Sequence, residues 1–194
     1  MRKAEKLLLL AAAAVLLAGC SMKFSAEEDS VYVNKKGEVL GAIVESFDKD
    51  YYDKDELQDM LEQEVVEFNA ENGKDSVEVD SFKVSGGSVK IIMNYSNWAD
   101  YAHFNDVQFF AGKVSDIQGK NYGTNVSFVS RDGSETAALD DIDGDYYVIL
   151  LEEKLVVQTP GKIVYVSDNV TVEGEKLARV NEDASGLAYV IYSK

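Results

Sequence analysis

The chain reads as an α+β protein: a hairpin-helix-hairpin N-terminal unit with an antiparallel sheet, followed by a β-rich C-terminal half. Three observations predict it. One segment near residue 60 has a clear helical period between cap signals. Strand-forming runs separated by turn residues flank it on both sides. After Val107, apolar runs alternate with turn signals about every ten residues and no further helical period follows.

In chain order, Val31–Val33 and the strand-rich Glu38–Phe47 enclose the turn Asn34-Lys35-Lys36-Gly37 and form a first hairpin. Asp53 precedes Glu56 by three positions, which approximates a capping box. Leu57, Met60, Leu61, Val65 and Phe68 follow at helical spacing, and Gly73 stops the helix, predicted over 54–71. Tyr51-Tyr52, just ahead of it, read as a hydrophobic staple or as part of an exposed rim. A strand from Val77 to Val84, the turn Gly86-Gly87 and the alternating Ser88–Tyr95 make a second hairpin. Asn97 then caps a short helix through Trp98, Tyr101, Ala102 and Phe104. The unit as a whole predicts α+β packing.

Eight further strands are expected at 108–114, 126–130, 146–151, 155–158, 162–167, 170–173, 176–180 and 187–192. Turn chemistry stands at Arg131-Asp132-Gly133, Pro160-Gly161, Glu173-Gly174-Glu175 and Ser185-Gly186. The polar, glycine-bearing 115–124 suggests a division into an α+β unit over 31–114 and a β-rich unit over 115–194, or one continuous domain.

The N-terminus bears on location. Arg2, Lys3 and Lys6 precede an unbroken apolar run from Leu7 to Ala18, the pattern of a signal peptide over residues 1–19. A dozen helical residues span roughly 18 Å, short of the roughly 30 Å hydrocarbon core, so a permanent transmembrane helix is a poor reading. Leu17-Ala18-Gly19-Cys20 resembles a lipobox: an aliphatic residue, two small ones, then the only cysteine of the chain. That resemblance implies lipidation at Cys20 and a lipid-anchored protein at the extracytoplasmic face of the cell membrane. Two acyl chains anchor stably at roughly 0.8 kcal/mol per buried methylene. Residues 20–30 then form a tether, reaching at most about 35 Å over ten residues.

Residues 1–19 hold three basic and one acidic residue. Without them 16 basic and 34 acidic side chains remain, a net charge of −18. Such a polyanion disfavours nucleic acid and anionic headgroups as partners. The remaining 175 residues, with Pro160 the single proline, suit a folded body with its own core.

The stretch from Tyr51 to Asp106, beginning YYDKDELQDMLEQEVVEF and ending NYSNWADYAHFND, together with PGKIVYVSDNVTVEG at 160–174, resembles uncharacterised small lipoproteins of Gram-positive anaerobic bacteria. The resemblance covers most of the mature chain. It implies surface attachment and brings no catalytic residues.

Candidate sites are few. Asp141, Asp143 and Asp145 stand at calcium-loop positions 1, 3 and 5 with Glu152 at 12, but Tyr146 occupies the position that needs glycine. Calcium is therefore weighed against a plain tight turn, and no other cofactor is expected. His103, the single histidine, has Asp100 and Asp106 nearby and no nucleophile to serve. Trp98 and Tyr101, with His103, offer a ligand platform on the short helix, or one face of that helix packs on the sheet. The expected function is a non-enzymatic binding or interaction domain for an envelope protein, a peptide or a glycan. The alternatives are a small envelope-polymer hydrolase using acidic residues and a transporter-associated solute-binding component.

Overall fold

The computed structural model describes residues 24, 26–120, 122 and 126–194. The expected signal segment over 1–19 and the expected lipidation site Cys20 lie outside the described residues. No helix among those described is long and apolar enough to cross a membrane.

Among the described residues, thirteen strands build two sheets, accompanied by two α-helices. The N-terminal part comprises β1 (Ser30–Val33), β2 (Val39–Ser46), α1 (Lys54–Asn72), β3 (Val77–Ser85), β4 (Ser88–Tyr95) and α2 (Trp98–Asn105). Then come β5 (Phe109–Lys113), β6 (Phe128–Ser130), β7 (Thr136–Ala137), β8 (Tyr147–Leu151) and β9 (Val156–Gln158). The chain ends with β10 (Ile163–Ser167), β11 (Val170–Val172), β12 (Leu177–Val180) and β13 (Ala188–Tyr192). The fold is α+β with a β-rich C-terminal half, as the periodicity predicts, and most strand ends fall within a residue or two of expectation. The two-residue β7 escapes prediction because a strand that short has no readable alternation.

The first sheet runs β11-β12-β9-β1-β2-β4-β3, and the second β5-β8-β13-β10-β6-β7. β1 and β9 pair in parallel, Ser30 opposite Val156, and the other paired strands are antiparallel. Strands from both sides of residue 115 share the first sheet, so hydrogen-bonded pairing runs across the expected 115–124 boundary. At the β3–β4 turn, Gly86 and Gly87 have φ of +62° and +80°, the two positive values a tight antiparallel turn requires.

Alternation assigns the faces. Val31, Val39, Met93, Tyr95, Val157 and Ala178 of the first sheet meet Phe109, Ile149, Leu151, Ala188, Val190 and Tyr192 of the second in one core. The outer face of the second sheet, with Val148, Leu150, Tyr189 and Ile191, is closed by Val114, Ile117 and Ile142 from the loops and by Phe128. β8 and β13 are thus covered on both faces and read as continuous apolar runs.

A smaller cluster on the outer face of the first sheet corrects the tether. Phe24 and Ala26 pack with Leu40, Ala42 and Ile92, and Ala26 is 6% exposed. The Arg179 fork donates to Glu28, with Nη2 2.7 Å from Oε1, and Asp29 Oδ1 accepts the Val44 N–H at 2.8 Å. The expected free linker over 20–30 therefore ends near Phe24, because apolar side chains and two carboxylates find partners on the sheet.

Candidate functional site

The residues singled out in the sequence do not converge. Asn97 caps α2 by accepting the Ala99 and Asp100 N–H groups at 2.8 and 3.0 Å. The helix then sends Tyr101 into the core, where it is 5% exposed and tilts onto Tyr95 and Phe109 with ring centres 4.9 and 4.5 Å away. Gly41 on β2 makes room: a Cβ there would stand 3.3 Å from the Tyr101 ring and 3.4 Å from that of Tyr95. The Tyr101 hydroxyl donates to Glu153 at 2.9 Å. Burial pushes both groups up from their ordinary values, with the carboxylate charge adding to the rise on Tyr101. Trp98 is half-buried and meets Phe110 edge-on at 4.9 Å, whereas His103 is exposed beside Phe68. The ligand platform of Trp98, Tyr101 and His103 is not assembled. For Tyr101, core packing is the arrangement present, because its ring fills the junction of α2 with both sheets.

The acidic cluster is used locally. Asp143 Oδ1 accepts the Asp145 N–H at 2.9 Å, and the Asp143 carbonyl accepts the Tyr146 N–H at 3.1 Å. Asp145 pairs with Lys113 at 2.8 Å, which lowers the pKa of the carboxyl and raises that of the amine. Asp141 sits in a single 3₁₀ turn, Leu139–Asp141. Among the described residues no three His, Cys, Asp or Glu side chains are grouped to hold a metal ion. Asp143 and Asp145 thus make turn and ion-pair contacts, and Asp141 lies in a helical turn ahead of them.

A different region has the geometry of a site. α1 starts at Asp53, whose carboxylate accepts the Asp55 and Glu56 N–H groups at 2.8 and 3.1 Å. Its far end is tied to β3 by Asn69, which donates to the Val77 carbonyl at 2.8 Å and accepts the Val77 N–H at 2.9 Å. The helix leaves a groove of about 530 Å³ between its first turns and the inner face of β2 and β4. Ile43, Val89 and Ile91 form the sheet wall, and Leu57, Met60 and Leu61 the helix wall. Phe47, Tyr51 and Tyr52 close one end; Tyr52 stacks on Phe47 and meets Tyr51 edge-on, each at 5.0 Å. Ile43 is 40% exposed, Met60 52% and Tyr51 77%.

The charged lining is one-sided: Glu45, Asp53 and Glu56, with no lysine or arginine. The Tyr52 hydroxyl is raised from its ordinary value, first by the Tyr51 hydroxyl, then by desolvation and by the nearby Asp48 and Glu45.

A second cavity, about 430 Å³, lies between Ser130–Glu135 and Lys162–Tyr165. Two of its polar side chains already have partners. Asp132 accepts from Ser134 and Ser130 and is held at about 2, and Lys162 pairs with Glu175 at 3.1 Å.

Compared with protein-family models, curated proteins and solved structures, the chain matches none. The groove was half legible in the sequence. Tyr51-Tyr52 read as either a staple or a rim, and Met60 fell in the helical apolar pattern, because helical spacing cannot tell a covered flank from an open one. Ile43 gave no signal, since its strand alternates whether or not anything covers it.

Proposed function

We propose that this chain is a lipid-anchored extracytoplasmic protein of the cell membrane, acting as a non-enzymatic binding module whose site is the groove between α1 and the inner face of β2 and β4. The observation that carries it is the exposure of Ile43, Met60, Tyr51 and Tyr52 around one concavity in a protein whose other large apolar groups are mostly covered. A contiguous apolar surface left open costs solubility, and such surfaces serve as contact sites. The lipobox-like Leu17-Ala18-Gly19-Cys20 supports attachment at Cys20. Of the groove's three carboxylates Asp53 is occupied in capping α1, and no observation singles out Glu45 and Glu56 as the acid and base of an envelope-polymer hydrolase. No observation favours a transporter's solute-binding component.

Two measurements test the proposal. Mass spectrometry of the natively produced protein should find a diacylglyceryl group on an N-terminal Cys20; an unacylated, uncleaved terminus sinks the anchoring. A photo-crosslinker at position 60 should capture an envelope component from intact cells that the same group at position 135 does not. Equal capture at both positions sinks the groove as the site.

A further inference from the structure

We infer that the occupant of this groove is a basic amphipathic polypeptide segment, with aliphatic or aromatic side chains lying between α1 and β2 and lysine or arginine on both flanks. The inference rests on the reading of the groove as the binding site and adds the chemistry of what enters it.

The floor and the rim make different demands. Ile43 and Met60 present hydrocarbon to solvent above the buried Ile91, and covering it gains roughly 25 cal/mol per Å² of apolar surface. That term carries no information on charge. The rim supplies it, because carboxylates stand on both walls: Glu45 on β2 and Glu56 in the first turn of α1. Neither enters any of the side-chain ion pairs among the described residues. Asp53 is satisfied by the helix N–H groups it caps. Lys49, the nearest lysine before the helix, is 3.5 Å from Asp48 and lines no part of the groove.

An apolar ligand without charge would bury the floor and leave Glu45 and Glu56 less solvated with nothing gained in return. An acidic one, whether peptide, nucleic acid or anionic lipid, would meet repulsion from the rim and from the net charge of the body. A ligand with cations on both sides of an apolar group matches both walls. Peptides offer that pattern readily, with the Tyr51 and Tyr52 rings as further faces for a guanidinium or ammonium. A volume of about 530 Å³ admits a few side chains and no folded domain.

The test uses the full mature chain in detergent micelles and three fluorescein-labelled peptides sharing one apolar pattern: Lys-Leu-Phe-Lys-Leu-Lys, and the same peptide with glutamine or glutamate in place of every lysine. Fluorescence anisotropy should give an affinity for the lysine peptide at least about tenfold above the glutamate one at low salt, shrinking several-fold at about 0.3 M salt as the rim is screened. Glu45→Gln with Glu56→Gln should cost the lysine peptide about three- to tenfold and leave the glutamine peptide unchanged. Both positions are exposed, so the double variant should melt with the parent. Equal binding of all three peptides, abolished by Ile43→Asp, would overturn the inference and leave the groove as a site. No binding of any peptide, with crosslinking from position 60 also insensitive to Ile43→Asp, would overturn both.

Discussion

The inner face of the first sheet is closed in two ways, and the contrast separates what stabilises this protein from what it presents. Toward β1 and β9 the cover is the second sheet, and Val31, Val39 and Val157 are fully buried against residues such as Ile149 and Val190. Toward β3 the cover is α1. A helix is about 10 Å wide and strands lie about 4.8 Å apart, so one helix shields about two strands. α1 is tied to the edge strand β3 through Asn69, and the third strand in, β2, is left open at Ile43. Sheet on sheet leaves only a small cavity of about 130 Å³ beside the β1–β2 turn; a helix over an edge strand leaves a groove of about 530 Å³.

The largest effect should come from the sealed end. Ile149 lies on β8 with no exposure, and Ile149→Ala removes hydrocarbon the rigid surroundings cannot replace. A loss of about 2–5 kcal/mol is expected in denaturant unfolding. A loss below about 1 kcal/mol would mean that the two sheets are less tightly joined than the burial implies.

Next is the tie at the far end of α1. Asn69→Ala strips partners from both the N–H and the carbonyl of Val77, which is fully buried, and should cost about 1–3 kcal/mol. Hydrogen exchange should rise across α1 before it rises in β8 or β13. Uniform exchange would show that α1 and the sheet core open as one unit, and the contrast would fail.

A smaller effect, read as a slope, belongs to Glu153. Burial, then the neighbouring carboxylates Glu152 and Asp29, raise its pKa, and the Tyr101 hydroxyl opposes them. In the window from its ordinary value up to the raised one, the folded state holds a proton that the unfolded chain has released. Its contribution to stability therefore falls as pH rises through that window. Glu28, Asp132, Asp145 and Glu175 are lowered and contribute the opposite slope, losing stability as pH falls below the ordinary carboxylate value. Glu153→Gln keeps an acceptor for Tyr101 and removes the first slope alone. The melting temperature of the variant relative to the parent should climb between pH 4 and pH 7; a constant difference rejects the assignment.

How legible all this was in the sequence follows from which signals are local. Helix caps and turns are contacts within a few residues, so Asp53, Asn97, Gly73 and Gly86-Gly87 mark their elements in the sequence alone. Strand order is not local: the parallel pairing of β1 with β9 joins residues more than a hundred positions apart. Phe24, Ala26 and Glu28 read as linker because their partners, Ile92 and Arg179, are also far away in the chain. The aromatic stripe of α2 announced burial correctly for Tyr101, but whether a ring faces a ligand or a second sheet depends on what arrives on the other side. The open flank of the groove escaped for the complementary reason, since it is defined by what does not arrive.

The smallest effect on stability is expected where binding is placed. Met60 and Val66 are both exposed apolar residues of α1, at 52% and 68%, but only Met60 lines the groove. Replacing either with lysine removes little packing and introduces a charge that water can solvate, so unfolding free energies should move by no more than about 0.5 kcal/mol. Binding should divide them. A lysine at 60 places a cation and its hydration where a ligand's hydrocarbon would lie, and affinity for the lysine peptide should drop by about tenfold or more. A lysine at 66 should leave affinity within about twofold, since only screened charge at a distance changes. Matched losses for both variants would mean that the response is to the overall charge of α1, and the distinction between a groove wall and an ordinary solvated helix face would be gone.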